Sequence, residues 1–268
     1  MLAPAVGVTL LLFGGALAGA VEQSFTPPLG GGLESWTLVS WREVLGDPVF
    51  VDAFWFSLRT TVAATFLSAC LALLIASLLR RHSAGLRTAV AFPVPVPHLI
   101  VAVVAVLWLA PGGLADRVLG SVPLNLVRDQ AGLGVVLVYL FKETPFLVLL
   151  LLAVMGRRLQ EQEEMAAVHG IGRWGRLRWV IWPAVRAPLL IGSMIAAAFV
   201  FSAFEVPLAV GPNYPPSHGT YALEVTKADA IDGAGQAAAA LLFGAVASIA
   251  FALAILGLVA ARRDPSER

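Results

Sequence analysis

The chain has 268 residues, of which 59% are hydrophobic and 13% charged, and its formal net charge is +1. A soluble globular protein carries about a quarter charged residues, so this chain has too little polar surface to cover a soluble fold. The near-neutral balance gives no footprint for nucleic acid or another polyanion, and the long apolar runs make the bilayer the expected solvent.

Six spans are predicted, at about residues 2–21, 54–79, 89–109, 133–155, 189–210 and 237–260. Each has about the 20 residues that cross ~30 Å of hydrocarbon as helix. The expected fold is all-α: one polytopic membrane domain over residues 1–268, with a polar loop at 156–186. The first span is expected to be retained. Ala16-Leu17-Ala18 resembles a signal-cleavage site, but no Lys or Arg precedes it and the apolar run is longer than a usual signal core. The outer loop that follows, residues 22–53, holds Pro27, Pro28, Gly30, Gly31, Gly32, Trp36 and Trp41, and is expected to contain a short interfacial helix. Trp55 and Trp108 fall at predicted span ends, as aromatic-belt residues do. Cys70, the single cysteine, lies in an apolar run and reads as a buried small hydrophobe.

The third span opens on Phe92-Pro-Val-Pro-Val-Pro-His98. Three alternate prolines cannot form a regular helix, because each lacks an N–H and restrains the residue before it. Either the segment around Pro95 is a pathway or hinge element, or the helix starts near Pro97 with the prolines at the interface. His98 reads as a helix-start residue more than as a ligand. The fourth span contains Lys142-Glu143-Thr144-Pro145. An intramembrane Lys–Glu pair is costly unless satisfied or facing water, and adjacent helical residues point about 100° apart, so the two cannot share one partner. Structural or gating, and substrate-lining, roles both stay open for Lys142 and Glu143.

Between the fourth and fifth spans lies Glu161-Gln-Glu-Glu-Met-Ala-Ala-Val-His-Gly170-Ile-Gly-Arg-Trp-Gly-Arg-Leu-Arg-Trp-Val-Ile-Trp-Pro183. Its first part is a good helix former with acids near the start. Gly170 and Gly172 are able to end that helix through a left-handed backbone. A second amphipathic stretch follows, with Trp174, Leu177 and Ile181 at helical spacing and arginines elsewhere. Pro183 is expected to begin the approach to span five. By these features alone the loop reads first as an interfacial helix with basic residues at lipid headgroups.

This segment resembles the EAA loop of binding-protein-dependent ABC importer permeases, on Glu164-Met165-Ala166, Ala167, Gly170, Trp174, Leu177, Ile181 and Pro183. Met165 stands where the family has alanine, His169 where aspartate is common, and Trp182 where leucine usually precedes the proline. The resemblance covers about 20 residues and also matches in place. It implies a coupling helix seated in a separate cytoplasmic ATPase subunit, with Ala166 and Ala167 permitting close packing, Glu164 meeting a basic group and Gly170 allowing the bend. It further implies a second permease subunit, identical or paralogous, an extracytoplasmic substrate-binding protein, and a bacterial inner-membrane location. The chain has no Gly-x-x-x-x-Gly-Lys-Ser/Thr loop, so it is expected to be no enzyme and to hold no cofactor, ATP being bound by the partner.

The fifth span ends on Phe199-Val-Phe-Ser-Ala-Phe-Glu205-Val-Pro207, where Glu205 either lines the path or pairs with Arg59 or Lys142. The sixth repeats small residues at Ala240, Gly244, Ser248 and Ala252, a packing stripe. Twelve arginines sit in the loops after spans two and four and after span six, which places those loops and both termini in the cytoplasm. The expected function is the permease of an ATP-driven importer for a small solute such as polyamine, iron(III), thiamine or an oxyanion. The alternative, a self-contained secondary transporter, lacks a visible inverted repeat.

Overall fold

The computed structural model describes residues 3–26, 36–80, 84–120, 125–229 and 233–261. All regular structure among them is helical. In order the helices are α1 (Ala3–Phe25), α2 (Val39–Gly46), α3 (Pro48–Leu79), α4 (Ala84–Ala91), α5 (His98–Leu109), α6 (Leu114–Leu119), α7 (Leu133–Val154), α8 (Arg157–Val168), α9 (Arg173–Arg176), α10 (Trp182–Ser202), α11 (Glu205–Val210), α12 (His218–Ala228) and α13 (Gly233–Ala261), with a π turn, Leu177–Ile181, between α9 and α10. Six segments are long and apolar enough to cross a membrane: Val6–Phe25, Pro48–Leu79, His98–Leu119, Leu133–Val154, Arg173–Ser202 and Gly233–Leu253.

The count matches the sequence reading; several bounds do not. The second span begins at Pro48, in the helix's first position, where a missing N–H is no loss. Asp47 stands just before it and accepts from the Val49 N–H at 2.9 Å. The third span is not continuous over 89–109. The proline run separates α4 from α5, and α5, with 12 residues, is only about 18 Å long. The fifth span runs from Arg173 to Ser202 rather than from 189 to 210. Cys70 is exposed on α3, contrary to expectation, because a membrane helix turns part of its apolar surface outward. Trp55 and Trp108 are exposed. The expected short helix in the outer loop is α2, whereas Pro27, Pro28 and Gly30 to Gly32 lie outside the described residues, as do Arg81, Arg262, Arg263 and Arg268.

The chain divides into two compact units, Met1–Leu58 with Phe201–Leu208 and Asn213–Arg268, and Arg59–Val200 with Ala209–Pro212. In the first, α13 packs on α12, α1 and α2, around Val44, Phe50, Ala53, Tyr221, Ala239 and Ala240. His218 is enclosed there by the rings of Phe50, Phe54 and Phe201. Its edge fills the space left by Gly244, where a Cβ would lie 2.2 Å from Nε2, so the small-residue stripe of span six receives a side chain from α12. In the second unit, α3 and α7 pack through Ala72, Ala76, Leu147, Val148 and Leu151 against Ile181, Val185 and Leu189. Asp129 caps α7, accepting from the N–H groups of Leu133 at 2.8 Å and Gly134 at 3.0 Å.

Candidate functional site

Two places within the second unit gather the sequence-selected residues. The first is the bent loop. Helix α8 ends at Val168 in a Schellman arrangement: the Ile171 N–H donates to the Ala166 carbonyl at 3.0 Å and the Gly170 N–H to that of Ala167 at 3.0 Å. Gly170 supplies the left-handed residue, φ 78°, which costs an L residue about 1–2 kcal/mol. Gly172 is extended instead, φ −63° and ψ 169°, and stands just before α9. His169 caps the turn through its ring, with Nδ1 2.8 Å from the Met165 carbonyl oxygen.

The stretch after the bend is not a separate surface helix that gives way at Pro183. It runs through the π turn straight into α10, and Pro183 is the second residue of that helix. A π turn displaces the helical register by one residue and leaves room where the proline donates no bond. That displacement breaks the expected stripe. Ile181 is buried and Leu177 half-buried, while Trp174 is 82% exposed. With Met165 at 64% and Val168 at 86%, Trp174 gives the loop an apolar surface of a kind that marks a docking site when left uncovered. Glu164 is exposed and accepts from Gln160 Nε2 at 2.9 Å. Ala166 is half-buried and Ala167 exposed.

One carboxylate in α8 behaves differently, and the sequence reading passed over it. Glu163 is 5% exposed. Its Oε2 lies 2.5 Å from Arg80 Nη2 at the end of α3, and its Oε1 3.5 Å from Arg176 Nε in α9. The only signal in the sequence was a glutamate one helical step from Glu164 with arginines on both sides in the chain.

The second place is the break before α5. The prolines leave the chain short of the N–H groups that would close a helix, so of the carbonyls here that of Pro93 accepts from the Val96 N–H at 3.3 Å while those of Val94 and Val96 gain no such turn bond. The ammonium of Lys142, on α7, donates to three of them: Pro93 at 2.6 Å, Val94 at 3.1 Å and Val96 at 2.5 Å. Three donors meet three acceptors, and Lys142 is 4% exposed. Backbone carbonyls thus satisfy the ammonium whose partner the sequence left open. Glu143, one residue on, points elsewhere: its Oε1 lies 3.1 Å from Nε2 of His98, the first residue of α5. The His98 ring packs against Phe199 at 4.6 Å between centroids and keeps 24% of its side chain exposed. Pro95 is exposed in the turn above. Arg59, also exposed, donates through Nη2 to the Gln130 carbonyl at 2.5 Å. Glu205 belongs to the other unit and opens α11, a short helix separate from span five.

Residues 68–263 match the family of binding-protein-dependent transport system inner membrane components. The chain belongs to that family. This inner membrane component is 29% identical over 185 residues to the inner membrane ABC transporter permease protein YnjC of Escherichia coli K12, an alignment covering 68% of this chain but only 36% of that relative. It is 29% identical over 237 residues to the trehalose transport system permease protein SugA of Mycobacterium tuberculosis, covering 82% of this chain and 76% of the relative. Its fold matches a bacterial ABC transporter involved in importing the acidic polysaccharide alginate, with TM-score 0.81 over 98% of this chain and 95% of the other at 17% identity. A bacterial alginate ABC transporter in complex with its pentasaccharide-bound periplasmic protein gives TM-score 0.78 at 17% identity, over 94% of this chain and 90% of the other. The two curated relatives are named as permease proteins. None of their names supports the polyamine, iron(III) or thiamine branch expected from the sequence.

Proposed function

We propose that this inner membrane component is the permease subunit of an ATP-driven ABC importer for a carbohydrate. It forms one permease domain that works with a separate cytoplasmic ATPase, a second permease subunit and an extracytoplasmic binding protein. The observation that carries the reading is the loop after the fourth span: α8, the left-handed turn at Gly170, and the uncovered Met165, Val168 and Trp174 surface. Glu164, Ala166, Ala167, His169, Leu177 and Pro183 shape or border that surface. The arginines of the loops after spans two and four support a cytoplasmic position for this side and, with six spans, for both termini.

The carbohydrate class rests on the trehalose permease, aligned over most of this chain, and on the two alginate transporters that share its fold. Pro95, His98, Glu143 and Arg59, in the second unit, are the residues we assign to the translocation path, with Lys142 holding its wall, and Glu205, in the first unit, is a separate candidate. Co-expression with neighbouring ATPase and binding-protein genes tests the reading. A complex containing all three, with ATP hydrolysis stimulated by the binding protein plus trehalose or a related oligosaccharide, is the expected result. An ATPase that never co-purifies rejects the permease role, and stimulation by putrescine or iron(III) alone rejects the carbohydrate class.

A further inference from the structure

We propose that Glu163 is the positioning residue that ties the docking helix α8 to two membrane helices at once, passing its movement to α3 through Arg80 and to α10 through Arg176. The inference rests on the docking role of α8 given above. Three acids, Glu161, Glu163 and Glu164, crowd this helix, and two of them are exposed. Glu163 alone turns inward, and each of its oxygens faces a different guanidinium. Arg80 is anchored on its own segment, Nε donating to the Ser77 carbonyl at 3.2 Å. Arg176 is likewise anchored, Nη1 donating to the Ile171 carbonyl at 2.7 Å. The two cations are therefore fixed to α3 and to the α9–α10 stretch, and the carboxylate between them belongs to α8. Without it, two largely buried guanidiniums lose the carboxylate they share, and a buried charge stripped of its partner is strongly unfavourable. A rigid-body shift of α8 must either carry both neighbours along or break this contact. Surface ion pairs on the same helix, such as Arg157 with Glu161, give no such constraint, because water competes for both partners.

The test uses the permease with its co-purifying ATPase, and needs no cargo. Cys70, the single cysteine, is exposed on α3 and accepts an environment-sensitive bimane label. In the wild type, ATP with orthovanadate is expected to shift the bimane emission. Glu163→Gln and Arg80→Gln are expected to retain the ATPase at wild-type stoichiometry while the shift falls at least threefold, and Glu163→Asp, which keeps the charge, to recover most of it. A purely structural role would lower yield and leave the shift of the folded fraction intact. Where Glu163→Gln fails to fold, the double variant Glu163→Gln/Arg80→Gln removes the facing charge as well, and its shift decides by the same threshold. An unchanged shift in these variants, or no shift in the wild-type complex, overturns the inference; so does loss of the ATPase from Glu163→Gln. Failure of the wild-type chain to hold any ATPase instead rejects the docking role itself.

Discussion

The ammonium of Lys142 lies 2.5 Å from the carbonyl oxygen of Val96, and the same nitrogen reaches the carbonyls of Pro93 and Val94. A side chain from α7 thus supplies the donors that three prolines withhold from the start of α5. Broken backbone at membrane depth is tolerated where its polar groups are satisfied within the protein. Lys142 is the means of satisfaction here, which accounts for a buried lysine beside a glutamate that it does not use.

Lys142→Met is expected to leave the Val94 and Val96 carbonyls without a donor, while Pro93 keeps the Val96 N–H. An unmade buried hydrogen bond costs about 1–3 kcal/mol, so the variant should lose several kcal/mol, accumulate poorly and melt well below wild type in detergent. Thermal melting with a thiol- or tryptophan-based readout measures this. A wild-type melting point would show that the carbonyls find other donors.

Gly170→Asp puts a side chain on a residue with φ 78° and should unmake the turn after α8 while leaving the spans inserted. Glu164→Lys reverses an exposed charge on the same helix. Both variants are expected at normal levels in the membrane fraction with at least tenfold less ATPase co-purifying. Normal recovery of the ATPase with both would sink the docking role of this loop.

Burial pushes the His218 imidazole down to about 4, with the Ala240 carbonyl opposing that only partly. The ordinary unfolded value is about 6.5, so between those two pH values the unfolded chain binds the proton and the folded one does not. Stability must therefore fall as pH drops from 6.5 toward 4, by on the order of 2 kcal/mol at pH 5. Around the ring stand Phe50, Phe54 and Phe201. Asp47 is engaged with the Tyr221 hydroxyl at 2.8 Å. Melting points at pH 7 and pH 5 should separate in the wild type and converge in His218→Phe.

Gly244→Val should be destabilising by about 1–3 kcal/mol, the usual cost of overpacking, since even a Cβ would stand 2.2 Å from His218 Nε2. Adding His218→Ala should recover part of that loss. Equal melting points for Gly244→Val and wild type would mean that α12 is free to withdraw from α13.

Glu205 opens α11, where an acid is favoured by the helix N-terminus by about 0.3–1 kcal/mol. Glu205→Gln is accordingly expected to cost little stability, yet to reduce uptake of labelled trehalose at least tenfold if the residue lines the path. Wild-type uptake at wild-type expression removes it from the path.

The sequence by itself determined the solvent, the six spans and the family, because those rest on length, hydropathy and a local pattern that needs no folding to be read. It also located the bend, since a glycine after a good helix former is a local signal, and the break, since prolines act on their own backbone. Tertiary structure decided the partners. Lys142 was legible as costly but not as a donor to Pro93, Val94 and Val96, 46 to 49 residues earlier. Glu163 was indistinguishable from Glu161 and Glu164 until the fold brought Arg80 beside it. The start of the fifth span moved because the π turn joins loop to helix, and hydropathy alone does not register a helix that continues past the apolar stretch. His218 gave no sequence signal at all: its burial depends on a glycine 26 residues later in another helix, and only packing brings the two together.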